Sequence, residues 1–410
     1  MKKIGILLLV IMNAVLLSGC WDRVEINDIA IVIAVGVDKM DNGDICLSLL
    51  LPVPKKLSSS GSGSSGGGGG EGNGSTLVIS ESGKSIMDAY RKLQGKLPRE
   101  ILFSHIRFII IGEKLAQEGV AGVLDFFSRP RQSNLRAHIL FTRENIDEVL
   151  GGEPGIEQSV AEMIREEGEM GIGAGIDLKD FINMLNEEGV NPWAGQLVKL
   201  PLAVETKKNE KTEASKPKKS YFSIRGAAVF DKDKLVGWIN YDEVRGVLWL
   251  RDEVKRGVGA VNVDVPEEKG GGKMGMRILE AKTRLQPKIN EDVLTIHVYI
   301  EATTVIYDNS SKLDLSDPKI IYDAEKMAEN RIKGRTQSAL DKLQKQLQSD
   351  VLGFGTAVYR EYPKEWREKY KDNWHEEFPE LNVEVACKVS IPRVGFVTNS
   401  LTRKEDEIIK

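Results

Sequence analysis

The longest apolar stretch in the chain lies at its very start, Ile4 to Leu17, interrupted only by Gly5 and Asn13. It is shorter than the roughly 20 residues that cross a bilayer. Lys2 and Lys3 precede it as a short positive region, and Leu17-Ser18-Gly19 follows with the small residues that a signal peptidase requires. The segment therefore reads as a removable secretory signal over residues 1–19, not as an anchor helix. No later stretch is long and apolar enough to span a membrane, so everything after it must fold by burying many short segments against one another.

Cys20 is the first residue after the expected cut, and Leu17-Ser18-Gly19-Cys20 resembles the bacterial lipobox. That resemblance implies cleavage between Gly19 and Cys20 and a diacylglyceryl group on the Cys20 sulfur. Each buried methylene contributes about 0.8 kcal/mol and a single acyl chain holds only marginally. Two chains make a durable tether to membrane lipid. The other two cysteines, Cys46 and Cys387, sit in alternating strand-like runs and are expected as small buried hydrophobes and not as a disulfide. The chain carries 57 basic and 61 acidic residues, net −4, and loss of Lys2 and Lys3 makes the mature chain two charges more negative. Such a balance leaves no footprint for nucleic acid. It also disfavours a broad electrostatic hold on anionic lipid, so the attachment must be covalent.

Short β-branched runs alternate with helical periods along the mature chain. Ile29 to Val37, Ile45 to Val53, Thr76 to Ile79, Leu102 to Ile111 and Leu135 to Thr142 read as strands. Between them, Ser82 or Ser85 caps a helix with Ile86, Ala89, Tyr90 and Leu93 on one face, and shorter helices follow near Glu113 to Gln117 and Val120 to Ser128. Residues 58–74, rich in Ser and Gly, form a flexible loop joining two strands of one domain. Residues 156–188 turn helical with a glycine break at 171–175. Those glycines follow a charged helix and not a strand, which argues against a dinucleotide site. The pattern predicts a mixed α/β (α+β) chain of three dissimilar domains: residues 20–200, a charged linker at 201–220, a small middle unit at 221–285, and a C-terminal α+β unit at 286–402. The last contains a long helix opened by Ser316-Asp317-Pro318, with Ser316 as its cap and Leu340, Leu343, Leu347 and Val351 as its buried stripe.

Two segments carry a family resemblance. Trp21-Asp22-Arg23-Val24-Glu25 directly after Cys20 is similar to the mature start of Ger(x)C-type spore germination lipoproteins. Asp350-Val351-Leu352-Gly353-Phe354-Gly355, then Arg360, Pro363, Trp366, Trp374, Phe378 and Pro379, resembles that family's C-terminal signature. Ile111 to Ala116 and Phe126 to Arg129 stand in the same order between them, and the resemblance covers nearly the whole mature chain. The Ser/Gly tract departs from the pattern. The resemblance implies a three-domain mixed α/β lipoprotein, the C subunit of a nutrient germinant receptor at the spore inner membrane. Its implied partners are A-type and B-type membrane subunits, with the small-molecule germinant held by a partner subunit. Trp21, Asp22, Arg23 and Glu25 are then contact candidates toward the membrane or those subunits.

Chemistry finds little footing in the residues. His105, His138, His297 and His375 have unrelated surroundings and no metal-site spacing, and no Gly-x-Ser-x-Gly elbow is present. No catalytic residue, metal ligand or cofactor is assigned beyond the Cys20 lipid. Trp366, Tyr370, Trp374 and Phe378 recur every four residues, a spacing that marks core packing more often than a binding face. The expectation is a non-enzymatic subunit. The alternative is an extracytoplasmic solute-binding lipoprotein of a transporter, a class built from two similar lobes about a hinge.

Overall fold

The computed structural model describes residues 3–6, 25–53, 76–129, 133–152, 157, 159–171, 173–201, 220–255 and 260–393. The signal segment from residue 7 onward, the lipobox with Gly19 and Cys20, and Trp21, Asp22 and Arg23 lie outside the described residues. So do the Ser/Gly tract, the charged stretch 202–219 and residues beyond 393.

In chain order the first half comprises β1 (Ile29–Ile31), β2 (Ala34–Lys39), β3 (Ile45–Pro52), β4 (Thr76–Gly83), α1 (Ile86–Lys96), β5 (Glu100–Leu102), β6 (Phe108–Gly112), α2 (Glu113–Glu118), α3 (Ala121–Ser128), β7 (His138–Thr142), α4 (Ile146–Leu150), α5 (Val160–Met170), α6 (Leu178–Asn186) and β8 (Trp193–Pro201). The second half comprises β9 (Ser220–Asp231), β10 (Lys234–Ile239), α7 (Tyr241–Leu250), β11 (Ala260–Asp264), β12 (Lys273–Asn290), β13 (Val293–Asn309), α8 (Pro318–Asp341), α9 (Phe354–Glu361), α10 (Trp374–Glu380) and β14 (Asn382–Arg393).

Eight strands form one mixed sheet in the order β10-β9-β8-β7-β6-β2-β3-β4. Its middle, β2, β6, β7 and β8, is parallel, and the strands to either side pair antiparallel. Parallel strands are covered on both faces, and every residue of β6 and β7 is buried. The two-residue period then sorts the side chains. Val35, Val37, Ile109, Ile111, Ile139 and Phe141 join one core with residues of α1, α2, α3 and α6. Ala34, Phe108, Ile110 and Leu140 join the opposite core with α4 and α5. Ser85 caps α1 by accepting from the Asp88 N–H at 3.2 Å, which settles the choice between the two serines.

The second sheet has the order β11-β12-β13-β14. Its inner face, including Ile296, Val298, Ile300, Cys387 and Val389, packs with residues of α8 in a third core. The β12–β13 hairpin closes on Glu291 and Asp292, both at positive φ (48° and 66°), the conformation that a two-residue turn between twisted strands demands. Helix α7 lies against both sheets and is buried from Val244 to Leu250. It crosses α8 at Gly246, where an added Cβ would stand 2.3 Å from the Arg335 carbonyl oxygen.

Mixed α+β character is as expected; the division of the chain is not. The strands expected in a separate middle domain are shared out. Tyr221 to Phe230 and Lys234 to Ile239 complete the first sheet as β9 and β10, while β11 and β12 belong to the second. The physical reason is hydrogen bonding: β9 pairs with β8 from Trp193↔Val229 to Pro201↔Ser220. The charged stretch between them therefore connects neighbours in one sheet, not two domains. Strand β12 runs unbroken across the boundary expected at residue 285. The strands on either side of the Ser/Gly tract, β3 and β4, are antiparallel neighbours. At α8 the cap is Asp317, which accepts from the Lys319 N–H at 2.8 Å, and not Ser316. Helix α8 gives way after Asp341 to a π-helical turn at Lys342–Leu347. Leu340 and Leu343 are buried as expected, Leu347 is only half-buried, and Val351 is buried beyond the end of the helix and not on its stripe. Cys46 is half-buried and Cys387 buried, each as a free thiol in a different sheet.

Candidate functional site

The C-terminal signature converges on one carboxylate. Asp350 is 2 % exposed, and its Oδ1 accepts from the backbone N–H groups of Leu352, Gly353 and Phe354 at 3.0, 2.9 and 3.3 Å. Its Oδ2 accepts from the Gly355 N–H at 2.8 Å and from the Trp374 indole at 3.0 Å. The signature needs an acidic residue here because the first turn of α9 presents N–H groups that have no partner within the helix. Burial pushes the Asp350 carboxyl above its ordinary value, and the Gly355 N–H, the Trp374 indole and the other backbone donors oppose that rise. Gly353 holds the turn into α9 at φ 75°, a left-handed conformation that costs a side chain about 1–2 kcal/mol.

This turn is docked on the first half of the chain. The loop between α6 and β8 presents Gly189 at φ 77°, back to back with Gly355. A Cβ on Gly189 would stand 2.3 Å from the Gly355 carbonyl carbon, and one on Gly355 would stand 2.6 Å from the Gly189 Cα. Across the contact the Thr356 N–H donates to the Gly189 carbonyl at 3.0 Å and the Thr356 hydroxyl to the Glu188 carbonyl at 2.9 Å. The Asn191 N–H donates to the Asp350 carbonyl at 2.7 Å. The Ser349 hydroxyl reaches the Phe230 carbonyl at 2.6 Å, which fastens the segment to β9 as well. Glu188, Gly189 and Asn191 were not singled out from sequence. The legible hint was a glycine between a helix and Asn191-Pro192, a loop signal that does not say what the loop meets.

The aromatic run packs behind this contact. Trp366, Tyr370 and Phe378 are each 1 % exposed and Trp374 is 8 % exposed, with the Trp366 and Trp374 rings 5.2 Å apart. They are core, as their spacing suggested, although they occupy a π-helical turn and α10 and not one continuous helix. The Trp366 indole donates to Glu188 at 3.1 Å, and Glu188 also pairs with Lys371. Those two contacts hold the Glu188 carboxyl below its ordinary value, the Lys371 bond first. Arg360 reaches Glu187 at 3.3 Å on the surface. Pro363 starts a single helical turn and Pro379 lies inside α10. A cleft of about 410 Å³ opens over the junction, lined in part by Glu188, Asn191, Asp231, Lys232, Lys371 and His375. At the other end, Glu25 is exposed and its carbonyl accepts from the Asp28 N–H at 2.9 Å.

The histidines remain apart. His138 approaches Asp177 at 2.9 Å, His297 approaches Glu384 at 3.1 Å, and His105 bonds Ser104 at 2.8 Å. Among the described residues no group of three or more His, Cys, Asp or Glu could hold a metal ion, and no helix is long and apolar enough to cross a membrane. What the arrangement can do is mechanical: it joins the two sheets through backbone contacts seated on a buried charge.

Comparison with known proteins matches both halves. Residues 22–199 fit the family model described as spore germination protein N-terminal domain, and residues 225–395 fit spore germination B3/GerAC like, C-terminal. The chain is 32 % identical over 408 residues to the putative spore germination protein YfkR of Bacillus subtilis (strain 168), covering 98 % of this chain and 99 % of that one. It is 29 % identical over 412 residues to spore germination protein KC of the same organism, covering 98 % of each. The crystal structure of the GerBC protein shares the fold, with a TM-score of 0.53 at 18 % identity over 87 % of this chain and 96 % of that one. The first family model ends within β8 and the second begins within β9, and these two strands are hydrogen-bonded neighbours, so the boundary in sequence is not one in structure. With both models matched and a relative aligned over almost its full length, the chain belongs to the GerAC-like family of spore germination proteins.

Proposed function

We propose that the protein is the lipid-tethered C-type subunit of a nutrient germinant receptor. It acts without catalysis, beside an A-type and a B-type membrane subunit, at the outer face of the membrane that becomes the spore inner membrane. The observation that carries this reading is the match of both family models along one chain whose halves are joined at Asp350, Gly355 and Gly189. Relatives named spore germination protein B3 and spore germination protein A3 support a role in that process. In this role Cys20 carries the diacylglyceryl group, and Trp21, Asp22, Arg23 and Glu25 lie next to the membrane and its polytopic partners. The small-molecule germinant binds on a partner subunit. A body tied across its two sheets transmits a push at one end to the other and does not absorb it at a hinge.

Deleting the gene should abolish or slow spore germination on at least one nutrient of a panel while germination by non-nutrient triggers persists, and complementation should restore it. Normal germination on every nutrient, in a strain lacking its paralogues, would sink the receptor role. The tether has its own test: Cys20→Ala should move the protein from the membrane pellet to the soluble fraction, and mass spectrometry of the wild type should find a diacylglyceryl cysteine. Co-purification of A-type and B-type subunits with the wild-type chain tests the assembly.

A further inference from the structure

The helix pair between the two sheets contains a buried cation with no counter-ion among the described residues. Arg245 lies in the middle of α7 and is 4 % exposed, and its Nη2 is buried without a hydrogen-bond partner. Among the described residues no carboxylate pairs with it. Its neighbours make the imbalance larger. Arg335 of α8, with a side chain 12 % exposed, donates from Nε to Asp242 at 3.1 Å, and Arg331 approaches the same carboxylate at 4.0 Å. The carboxylate of Glu243 is occupied by the Asn240 N–H, at 2.7 Å, in the box that caps α7. One turn before Arg245, Tyr241 is 37 % exposed, and the Arg225 guanidinium sits 5.3 Å over its ring. Four guanidinium groups thus gather along α7, and among the described residues Asp242 is the one carboxylate paired with any of them.

Guanidinium keeps its charge when buried, and a buried charge without a partner is strongly destabilising. Burial pulls the Arg245 pKa down; Tyr241 opposes that fall, and the Arg335 charge adds to it. Leucine or methionine would serve the core of α7 better if packing were the only demand.

We propose that Arg245, with Arg335 and Tyr241 beside it, forms an oxyanion site that takes a phosphate or carboxylate group between α7 and α8. The fork of a guanidinium matches two oxygens of such a group, and Tyr241 adds a hydroxyl donor. Arg225 and Arg331, the more exposed members of the cluster, mark the side from which the anion enters. The site lies where β9 and α7 of the first sheet meet α8 of the second, so occupancy would bind the two halves together at a second place, apart from Asp350. The proposal is independent of the receptor assignment.

The test compares thermal unfolding of the purified full-length chain in chloride, in inorganic phosphate and in succinate at matched ionic strength and pH. Wild type should unfold several degrees higher in phosphate or in succinate than in chloride, and the better of the two distinguishes a phosphate ligand from a carboxylate. Arg245→Met should lose that shift while unfolding in chloride no lower than wild type, and Arg245→Lys should keep part of it. Isothermal titration with the better anion should give one site in wild type and none in Arg245→Met. Absence of any shift in wild type would overturn the proposal, as would a shift that survives in Arg245→Met. A fall in the chloride midpoint of Arg245→Met would also overturn it, because the guanidinium would then have its partner within the chain.

Discussion

Substituting Gly355 by alanine tests whether the signature turn holds the two halves together. The new Cβ would lie 2.6 Å from the Gly189 Cα, 2.7 Å from its carbonyl oxygen and 2.8 Å from the Trp374 indole nitrogen. Two of those three atoms are backbone, so the turn must move away from the loop. Overpacking of this kind costs about 1–3 kcal/mol. The retreat also weakens the Thr356 bonds to Gly189 and Glu188, at about 1 kcal/mol each. Alanine returns about 1 kcal/mol through its greater helix propensity, which leaves a net loss of roughly 2–4 kcal/mol. Gly353→Ala is the control. Its Cβ would meet only Val190 Cγ2, at 3.9 Å, so it carries just the left-handed backbone penalty of about 1–2 kcal/mol. Urea unfolding should rank Gly355→Ala below Gly353→Ala. The Gly189→Ala/Gly355→Ala double variant should lose clearly less than the sum of the singles, because a contact already parted cannot part again. Additive losses, or a Gly355→Ala variant as stable as Gly353→Ala, would refute the close approach as the source of coupling.

Asp350→Asn keeps the shape but turns an NH₂ group toward the Gly355 N–H and the Trp374 indole, and should cost about 2–6 kcal/mol in urea unfolding, from about 1–3 kcal/mol for each buried donor left unpaired; a loss below 1 kcal/mol would mean that the charge is not what seats the turn. Trp374→Phe keeps a ring and removes one bond to a buried carboxylate, an expected loss of about 1.5–3 kcal/mol. Trp366→Phe, whose indole meets the solvated Glu188, should cost less, and the reverse order would count against Asp350 as the centre of the site. Cys387 has its thiol pushed up to about 12, by burial first. A folded pKa above the unfolded one stabilises fully at low pH and is lost as pH rises through about 9 toward 12. The stability difference between wild type and Cys387→Ala should therefore be flat below pH 8 and fall above pH 9, by up to about 1.4 kcal/mol per pH unit. A difference independent of pH would remove the buried thiol from the account.

Much of this protein was legible in its sequence wherever the deciding force is local. Short continuous apolar runs placed β6 and β7, and alternation placed β13 and the Cys387 stretch of β14, because a strand covered on both faces is apolar throughout while one with a wet face must alternate. Ser85 lies at a helix start, where unpartnered N–H groups demand oxygen acceptors within three residues. The four-residue spacing of Trp366, Tyr370, Trp374 and Phe378 announced burial, and the signature around Asp350 announced the family. What sequence could not reach was partnership across distance. That β9 completes the sheet of β8 depends on an edge needing hydrogen bonds, not on any residue in β9. That Gly355 exists to meet Gly189, 166 positions earlier in the chain, follows from a backbone approach so close that a Cβ on Gly355 would stand 2.6 Å from the Gly189 Cα, and this leaves no trace in either segment alone. Arg245 reads as one more charge on a helix until the fold puts α7 between two sheets; only then is it a buried cation in want of an anion.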